Sequence, residues 1–205
     1  MSAVADGIVA PAVPGWGLRS DRGHVLPLNV DRWFAEPSLA DTGVLDQALG
    51  PVLDVGCGPA RHTLALLSRG VPAVGLDVSP SAVRIARRRG APVLQRSVFD
   101  RLPDEGAWGT ALLLDGNVGI GGDPVSLFQR VRRILRPGGR ALVEVEPPGT
   151  RTERLRVRFD GPGASRWFPW ARVGVDGLHR LASRVGFVVA GAWAAEGRWF
   201  GRLDA

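Results

Sequence analysis

Apolar and polar residues follow one another along this chain in blocks that predict strands and helices in turn. Short apolar runs, which are typical of buried strands, lie at 51–55, 73–77, 92–95, 110–114 and 140–145. Segments whose apolar residues recur three and four positions apart predict helices at 59–69, 80–89 and 124–135. Strands that alternate with helices at this spacing predict an α/β fold, in which helices cover both faces of a doubly wound, mostly parallel sheet.

The two ends of the chain depart from this alternation. Residues 1–44 show no sustained period and predict an N-terminal arm with cap helices, whereas 45–205 predict the main domain. Trp16 is a candidate cover for a pocket or, as we prefer, an anchor that pins the arm. Near the C-terminus, segments at 187–192 and 198–203 predict an antiparallel hairpin at the edge of the sheet.

Two absences in the composition exclude several classes of enzyme. All 26 basic residues are arginine, and the chain has neither lysine nor tyrosine. A Walker-type phosphate loop, a protein kinase and a Schiff-base enzyme each need a lysine, and a short-chain dehydrogenase needs both missing residues. The net charge of +6 is compatible with binding to a nucleic acid. Much of the arginine, however, falls near predicted helix C-termini, where it complements the helix dipole, and this structural explanation is the one that we prefer.

The cysteine count, the N-terminal residues and the spacing of the histidines indicate where the protein is located and whether it binds a metal. The single cysteine, Cys57, excludes an internal disulfide and is typical of a protein in a reducing cytoplasm. The apolar runs are far shorter than the roughly 20 residues of a membrane span, and the N-terminus has no basic leader, so we expect neither a membrane segment nor a signal peptide. The histidines lack metal-ligand spacing, so we expect no metal at His24, His62 or His179.

The stretch VLDVGCGPA at 52–60 contains the strongest local signal for a ligand site. A buried strand ends in an acid and a pair of glycines, and Pro59 then opens a helix. Glycines have no Cβ, so a ligand can lie close to the backbone while the N–H groups of the helix N-terminus point towards it. A dinucleotide fingerprint has a third glycine where this chain has Arg61, which argues against a dehydrogenase.

Three aspartates, Asp54, Asp77 and Asp115, each lie at the end of a predicted strand. Ligands of a parallel α/β sheet bind beyond the carboxyl ends of its strands, so this placement indicates more than packing. Asp77 comes 19 residues after Gly58, at the end of the next strand. An acid in that position accepts hydrogen bonds from both hydroxyls of a ribose, which is the role that we predict for Asp77.

Three motifs together resemble the class I methyltransferases that use S-adenosylmethionine. They are the glycine turn VLDVGCG at 52–58, GLDVS at 75–79 and LRPGG at 135–139. The resemblance covers about 45–203 and implies a seven-stranded Rossmann-like sheet whose last strand is antiparallel, which agrees with the predicted C-terminal hairpin. It implies S-adenosylmethionine as the cofactor and methyl transfer as the reaction.

The resemblance assigns cofactor-binding roles to Asp54, Gly56, Gly58, Asp77, Val78, Ser97, Val98, Asp100 and Asp115. The first three would surround the methionine end of the cofactor, and Asp77 would hold the ribose with Val78 against the adenine. Residues 97–100 fall where the family contacts the adenine edge. Either Ser97 replaces the usual acid there or Asp100 serves as that acid, and Asp115 would close the site after the fourth strand.

The sequence alone leaves the catalytic residues open, because an activated methyl donor mainly requires alignment of the acceptor. The candidates are Asp115, Asn117 and His62, of which Asn117 is equally well explained as a turn residue and His62 better explained by packing. The loop 115–122 lacks the Asn/Asp-Pro-Pro-Tyr motif of amino-group DNA methyltransferases, which argues against methylation of an adenine or cytosine amino group. The aromatic and arginine-rich segment 147–175 is expected either to form a wall of the acceptor pocket or to pack at the edge of the core.

The sequence therefore predicts a cytoplasmic methyltransferase that uses S-adenosylmethionine and acts on a small-molecule acceptor by in-line methyl transfer. Two alternatives share the cofactor: a non-catalytic S-adenosylmethionine-binding accessory protein, and an RNA methyltransferase that uses the arginines. A dehydrogenase is a more distant alternative because of Arg61. Neither a nucleic acid nor a membrane is an expected partner.

Overall fold

The computed structural model describes residues 17–160 and 165–205. Its strands are β1 Gly17–Ser20, β2 Val25–Pro27, β3 Val52–Val55, β4 Ala73–Asp77, β5 Val93–Gln95, β6 Trp108–Leu113, β7 Leu135–Val145, β8 Glu153–Asp160, β9 Phe168–Arg172, β10 Val188–Ala195 and β11 Arg198–Asp204. Its helices are α1 Val30–Phe34, α2 Leu39–Leu45, α3 Arg61–Ser68, α4 Pro80–Arg88, α5 Pro124–Ile134 and α6 Val175–Arg184, and a 3-10 segment spans Asn117–Gly122. Trp16, for which the sequence predicts an anchor, lies outside the described residues.

Seven strands form the central sheet, in the order β10-β11-β7-β6-β3-β4-β5. The strands from β7 to β5 are parallel, whereas β11 pairs antiparallel with β7 and β10 pairs antiparallel with β11. The predicted fold class and the predicted C-terminal hairpin are therefore confirmed. Because β6 is buried along its whole length, its sequence is continuously non-charged and mostly apolar, as is typical of a parallel strand covered on both faces.

The helix boundaries follow the capping residues that the sequence offers. Ser79 accepts a hydrogen bond from a backbone N–H at the start of α4, and Asp123 does the same at the start of α5. A proline occupies the first position of both helices, where its missing N–H costs nothing. α5 ends earlier than predicted, because β7 begins at Leu135, which pairs with Trp108 before a shift in register.

A second sheet, here called the roof sheet, has four antiparallel strands in the order β2-β1-β8-β9. The sequence predicts an N-terminal arm with cap helices over residues 1–44, and within this range residues 17–27 form a hairpin whose first strand pairs with β8. Arg19 donates two hydrogen bonds to Asp160 across this pair, at 3.0 and 2.6 Å. Strands of four and three residues are too short to show a period, so the sequence alone could not reveal them.

The roof sheet docks on the carboxyl ends of the central strands through β9 and the 117–122 segment. A Cβ added to Gly119 would lie 2.5 Å from the Trp170 ring, and one added to Gly122 would lie 2.7 Å from the Cβ of Pro169. Glycine at these two positions therefore allows the two segments to approach closely. The chain between β7 and α6 thus leaves the central sheet, builds β8 and β9, and covers the edge at which ligands of such sheets bind.

The hydrophobic core lies on both faces of the central sheet. On one face, Phe128 of α5 and Leu178 of α6 are buried against the strands. On the other face, Val44 of α2 and Leu66 of α3 pack with Phe200 of β11. In residues 17–160 and 165–205, no helix is both long enough and apolar enough to cross a membrane.

Candidate active site

The turn after β3 is shaped by residues in the left-handed backbone region. Gly56 and Gly58 have φ angles of +73° and +53°, and Ala60, which precedes α3, has a φ of +67°. The side-chain amide of Asn117 donates to the backbone carbonyls of Val55 and Gly56, at 2.9 and 3.0 Å. Asn117, a candidate for orienting the acceptor, therefore braces the glycine turn with its amide nitrogen.

Asp77 links the end of β4 to the same turn. One of its carboxylate oxygens accepts a hydrogen bond from Gly58 N and the other from Ser79 N, both at 2.8 Å. A carboxylate has about four lone-pair positions, so roughly two remain for the hydroxyls of a ligand. Burial raises the pKa of this carboxyl above its ordinary value, and it outweighs the hydrogen bonds from Ser79 and Gly58, which lower the pKa.

Asp54 is a buried carboxyl at the bottom of the same site. The hydroxyl of Thr63, in the first turn of α3, donates to it at 2.8 Å. Burial raises the pKa of Asp54, against the opposing effects of His62 and Thr63. A ligand cation placed beside this carboxyl would favour its charged form.

Cys57, between the two glycines of the turn, is buried against β4, where a Cβ on Gly75 would lie 2.6 Å from its Sγ. Burial, with smaller effects from Asp54 and Asp77, raises the pKa of the thiol well above its ordinary range. We therefore expect a thiol reagent such as DTNB to modify the native protein far more slowly than the urea-unfolded chain. Equal rates for the two states, measured by absorbance, would contradict this packing.

A cavity of about 290 Å³, here called the donor cavity, lies over the glycine turn at the carboxyl ends of β3 and β4. The predicted cofactor residues that line it are Asp54, Gly56, Gly58, Asp77, Val78, Ser97, Val98 and Asp115. Asp100 lies outside this lining, and its carboxylate accepts a hydrogen bond from Ser97 N at 2.9 Å. The structure thus brings these residues together except for Asp100, and their roles in binding a cofactor stay predictions.

A set of buried charges, here called the ion network, lies behind the donor cavity and contains Asp41, Arg61, Asp115, Glu144 and Arg198. Arg61 donates to Asp41 and, at 3.1 and 2.9 Å, to Asp115. Arg198 donates to Asp41 at 2.6 Å and to Glu144 at 2.9 and 2.7 Å. The side chain of Asp41 has no exposed surface and that of Arg61 is 3% exposed, so these charges depend on one another for compensation.

Of the candidate catalytic residues, Asp115 belongs to this network and His62 contacts it. Asp115 has a left-handed backbone with a φ of +54°, and both of its carboxylate oxygens accept from Arg61. The buried ring of His62 lines the donor cavity, and its Nε2 lies 3.4 Å from a carboxylate oxygen of Asp41. Burial favours a higher pKa for Asp41, but hydrogen bonds from His62 and Arg198 outweigh it and hold the pKa well below its ordinary range.

The other two histidines take no part in this site. His24 is exposed in the turn between β1 and β2, and His179 is exposed on α6. Across the ranges that the structure describes, no three histidine, cysteine, aspartate or glutamate side chains are grouped so that they could hold a metal ion.

A second cavity, here called the lateral cavity, adjoins the donor cavity at the carboxyl ends of β6 and β7. Its volume is about 780 Å³, and β2, α1 and β9 form its outer walls. The two cavities share Leu18, Leu28, Trp33, Asp115 and Trp170, so they lie next to each other. The segment 147–175 contributes to this wall as well, and its contact with an acceptor stays a prediction.

Comparison with known proteins identifies the fold and shows a similarity to methyltransferases. Residues 52–139 match the family model described as a methyltransferase domain. An S-adenosylmethionine-dependent methyltransferase from Bacteroides fragilis, solved with S-adenosyl-L-homocysteine, has a TM-score of 0.76 and 24% identity to this chain, over 92% of this chain and 86% of the other. The chain therefore has the fold of this methyltransferase, and residues 52–139 are similar to the methyltransferase-domain family.

Two named relatives match shorter stretches of this chain. The trans-aconitate 2-methyltransferase of Methylobacterium nodulans is 36% identical over 125 residues, which cover 56% of this chain and 46% of that protein. The 2-heptyl-1-hydroxyquinolin-4(1H)-one methyltransferase of Mycobacteroides abscessus is 53% identical over 38 residues, which cover 18% of this chain and 17% of that protein. The chain spans less than half the length of the curated relatives that it matches.

Sequence reasoning missed the ion network and the lateral cavity. In the sequence, Arg61 indicates only a departure from the dinucleotide fingerprint. The position of Arg61 directly after a buried turn is the signal that could have indicated the ion network, because a buried arginine requires partner carboxylates. Those partners are remote, since Asp41 lies 20 residues before it and Asp115 lies 54 residues after it.

Proposed function

We propose that this chain is a cytoplasmic enzyme that transfers the methyl group of S-adenosylmethionine to a small-molecule acceptor. The observation that carries the proposal is the position of Asp77, whose carboxylate lines the donor cavity and accepts from Gly58 N at 2.8 Å. An acid held by two backbone donors is oriented before a ribose arrives. A charge-assisted hydrogen bond to it contributes about 1.5–3 kcal/mol, compared with about 0.3–1 kcal/mol from a helix N-terminus. The free thiol of Cys57 supports a reducing compartment.

The residues around the donor cavity fit this methyl donor. Gly58 faces open space, because a Cβ added there would meet nothing within 4 Å, so a ligand can lie directly on the backbone. The donor supplies a methyl group on a sulfonium that is already activated, so the protein mainly aligns the acceptor and excludes water. From the methionine end to the adenine end, we assign its binding to Asp54, Gly56, Gly58, Asp77, Val78, Ser97 and Val98, with Asp115 at the closing edge.

Two findings support a small molecule as the acceptor. The lateral cavity has a volume of about 780 Å³ and meets the donor cavity at Trp33 and Trp170. Pockets for small ligands typically measure roughly 300–1,000 Å³. Two curated relatives are named for trans-aconitate and for 2-heptyl-1-hydroxyquinolin-4(1H)-one, which are both small organic molecules.

A screen with methyl-labelled S-adenosylmethionine tests the proposal. The full chain is incubated with a library of metabolites and, separately, with bulk RNA, and the transfer of label is measured. We expect transfer to at least one small molecule. Tight donor binding without transfer to any compound would favour a non-catalytic accessory protein. Transfer of label to RNA that is abolished by added salt would favour an RNA methyltransferase.

A further inference from the structure

The carboxylates on the floor of the lateral cavity are already paired with arginines. Both oxygens of Glu144 accept from Arg198, at 2.9 and 2.7 Å, and one of them also accepts from Asp115 N at 2.7 Å. Glu146 accepts two hydrogen bonds from Arg172, at 3.2 and 3.1 Å. A cationic ligand would therefore have to displace an arginine before it could bind either glutamate.

Arg32 is the cation of this cavity whose charge is least satisfied. Its Nη1 lies 3.9 Å from a carboxylate oxygen of Asp115, which is too far for a hydrogen bond, and Asp115 already accepts from Arg61 at 2.9 Å. Within residues 17–160 and 165–205, the Arg32 side chain makes no hydrogen bond, and one third of it is exposed. The neighbouring Asp31 is exposed at the rim, where solvent screens its charge.

Tryptophan side chains form much of the wall around Arg32. Trp33 follows it in α1, Trp170 lies in β9 and Trp199 lies at the start of β11, and all three line the lateral cavity. Indole rings offer flat faces that pack favourably against other flat rings. Such walls favour a ligand with a flat, apolar body.

We propose that the methyl acceptor is an organic acid with a flat apolar body, whose ionised oxygen pairs with Arg32. This inference rests on the proposed methyl transfer and deepens it by naming the class of acceptor. The apolar body lies among Trp33, Trp170 and Trp199, and the oxygen faces the wall that the lateral cavity shares with the donor cavity. Arg32 is then a specificity-determining residue that selects an anion over an amine.

An acceptor of this class also removes the need for a general base. Its oxygen anion forms the new bond to the methyl carbon while the carbon–sulfur bond breaks, and the electron pair of that bond stays on sulfur. The negative charge on oxygen and the positive charge on sulfur cancel, so no proton leaves the acceptor. An ammonium acceptor would first have to lose a proton, and arginines already engage Asp115, Glu144 and Glu146.

The affinities of three probes for the full chain saturated with S-adenosylhomocysteine test this assignment. The probes are 2-naphthoate, 2-naphthol and 2-naphthylmethylamine, which share a flat body and differ in charge, and calorimetry measures their binding. We expect 2-naphthoate to bind most tightly, and Arg32→Gln to weaken its binding about tenfold or more, with partial recovery in Arg32→Lys. Arg22→Gln removes an exposed arginine of the roof sheet that lines neither cavity, and it should change the affinity by less than about twofold.

Any one of four results would overturn the acceptor assignment. Two concern the wild type: tighter binding of the amine than of 2-naphthoate, or binding of 2-naphthol as tight as that of 2-naphthoate. The other two are an affinity for 2-naphthoate that Arg32→Gln leaves unchanged, and failure of all three probes to bind. The binding of S-adenosylhomocysteine is measured first, in the wild type and in each variant. Failure of the wild type to bind it would contradict the proposed methyl donor, whereas retained binding confines a negative result to the acceptor.

Discussion

Replacement of Asp41 by asparagine is expected to lower the free energy of unfolding by about 3–5 kcal/mol. The side chain of Asp41 has no exposed surface and accepts hydrogen bonds from both Arg61 and Arg198. Asparagine has a similar shape but no charge, so the two guanidinium groups would stay buried and lose a counter-charge. Urea denaturation of the two proteins, followed by tryptophan fluorescence, measures the difference.

Asp46 provides the matched control, because it follows the same helix, α2, and pairs with Arg69 at the surface. Its side chain is 65% exposed, and the hydrogen bond from Arg69 measures 2.9 Å. Asp46→Asn should therefore cost at most about 1 kcal/mol. Equal losses in Asp41→Asn and Asp46→Asn would contradict the stabilising role that we assign to the ion network.

The pH dependence of stability gives a second check on Asp41. Its pKa in the folded protein is below the ordinary value, so its contribution to stability is present above the unfolded pKa of about 4 and is lost as the pH falls below that. Asp54 and Asp77 have raised pKa values and act in the opposite direction, since their contribution is lost as the pH rises. The difference in the free energy of unfolding between the wild type and Asp41→Asn isolates the contribution of Asp41, and this difference should shrink below about pH 4. A difference that stays constant with pH would contradict the lowered pKa.

Replacement of Asp77 by alanine is expected to weaken the binding of S-adenosylmethionine at least about tenfold, or by about 1.4–3 kcal/mol. The variant loses the acceptor for the ribose hydroxyls and the hydrogen bond that holds Gly58 N at 2.8 Å. Calorimetry measures the affinity, and a denaturation curve establishes that the variant is folded.

Asp100→Ala is the comparison for Asp77→Ala, because Asp100 is an acid of the predicted site that does not line the donor cavity. We expect it to weaken binding by less than about threefold, through loosening of the Ser97 loop alone. Unchanged affinity in Asp77→Ala would refute the ribose assignment. Equal losses in the two variants would indicate that Asp100 contacts the cofactor.

The central sheet could be predicted from the sequence because each strand carries its own local signal. β3 is apolar apart from Asp54, and β6 is uncharged and mostly apolar. α4 and α5 each begin with a capping residue and a proline, so no long-range information was needed. The glycine turn and Asp77 were equally local. We could predict that the turn and Asp77 lie close together, because the carboxyl ends of parallel strands share one edge of the sheet.

The roof sheet and the ion network could not be predicted, because their members are remote in sequence. β1 has only four residues and is stabilised by pairing with β8, more than a hundred positions away. Asp41 and Arg198 are separated by 157 residues and meet only when β11 joins the central sheet and α2 packs on that sheet. For the same reason, the sequence could not show that Trp33 and Trp170 line both cavities.

Calorimetric titration of the wild-type chain with S-adenosylmethionine and, separately, with NAD tests most directly whether the cavity over the glycine turn binds a methyl donor. We predict one-to-one binding of S-adenosylmethionine with a Kd in the micromolar range, and no binding of NAD at the same concentrations. Binding of NAD as tight as that of S-adenosylmethionine, or no binding of S-adenosylmethionine to the folded chain, would contradict the proposed function.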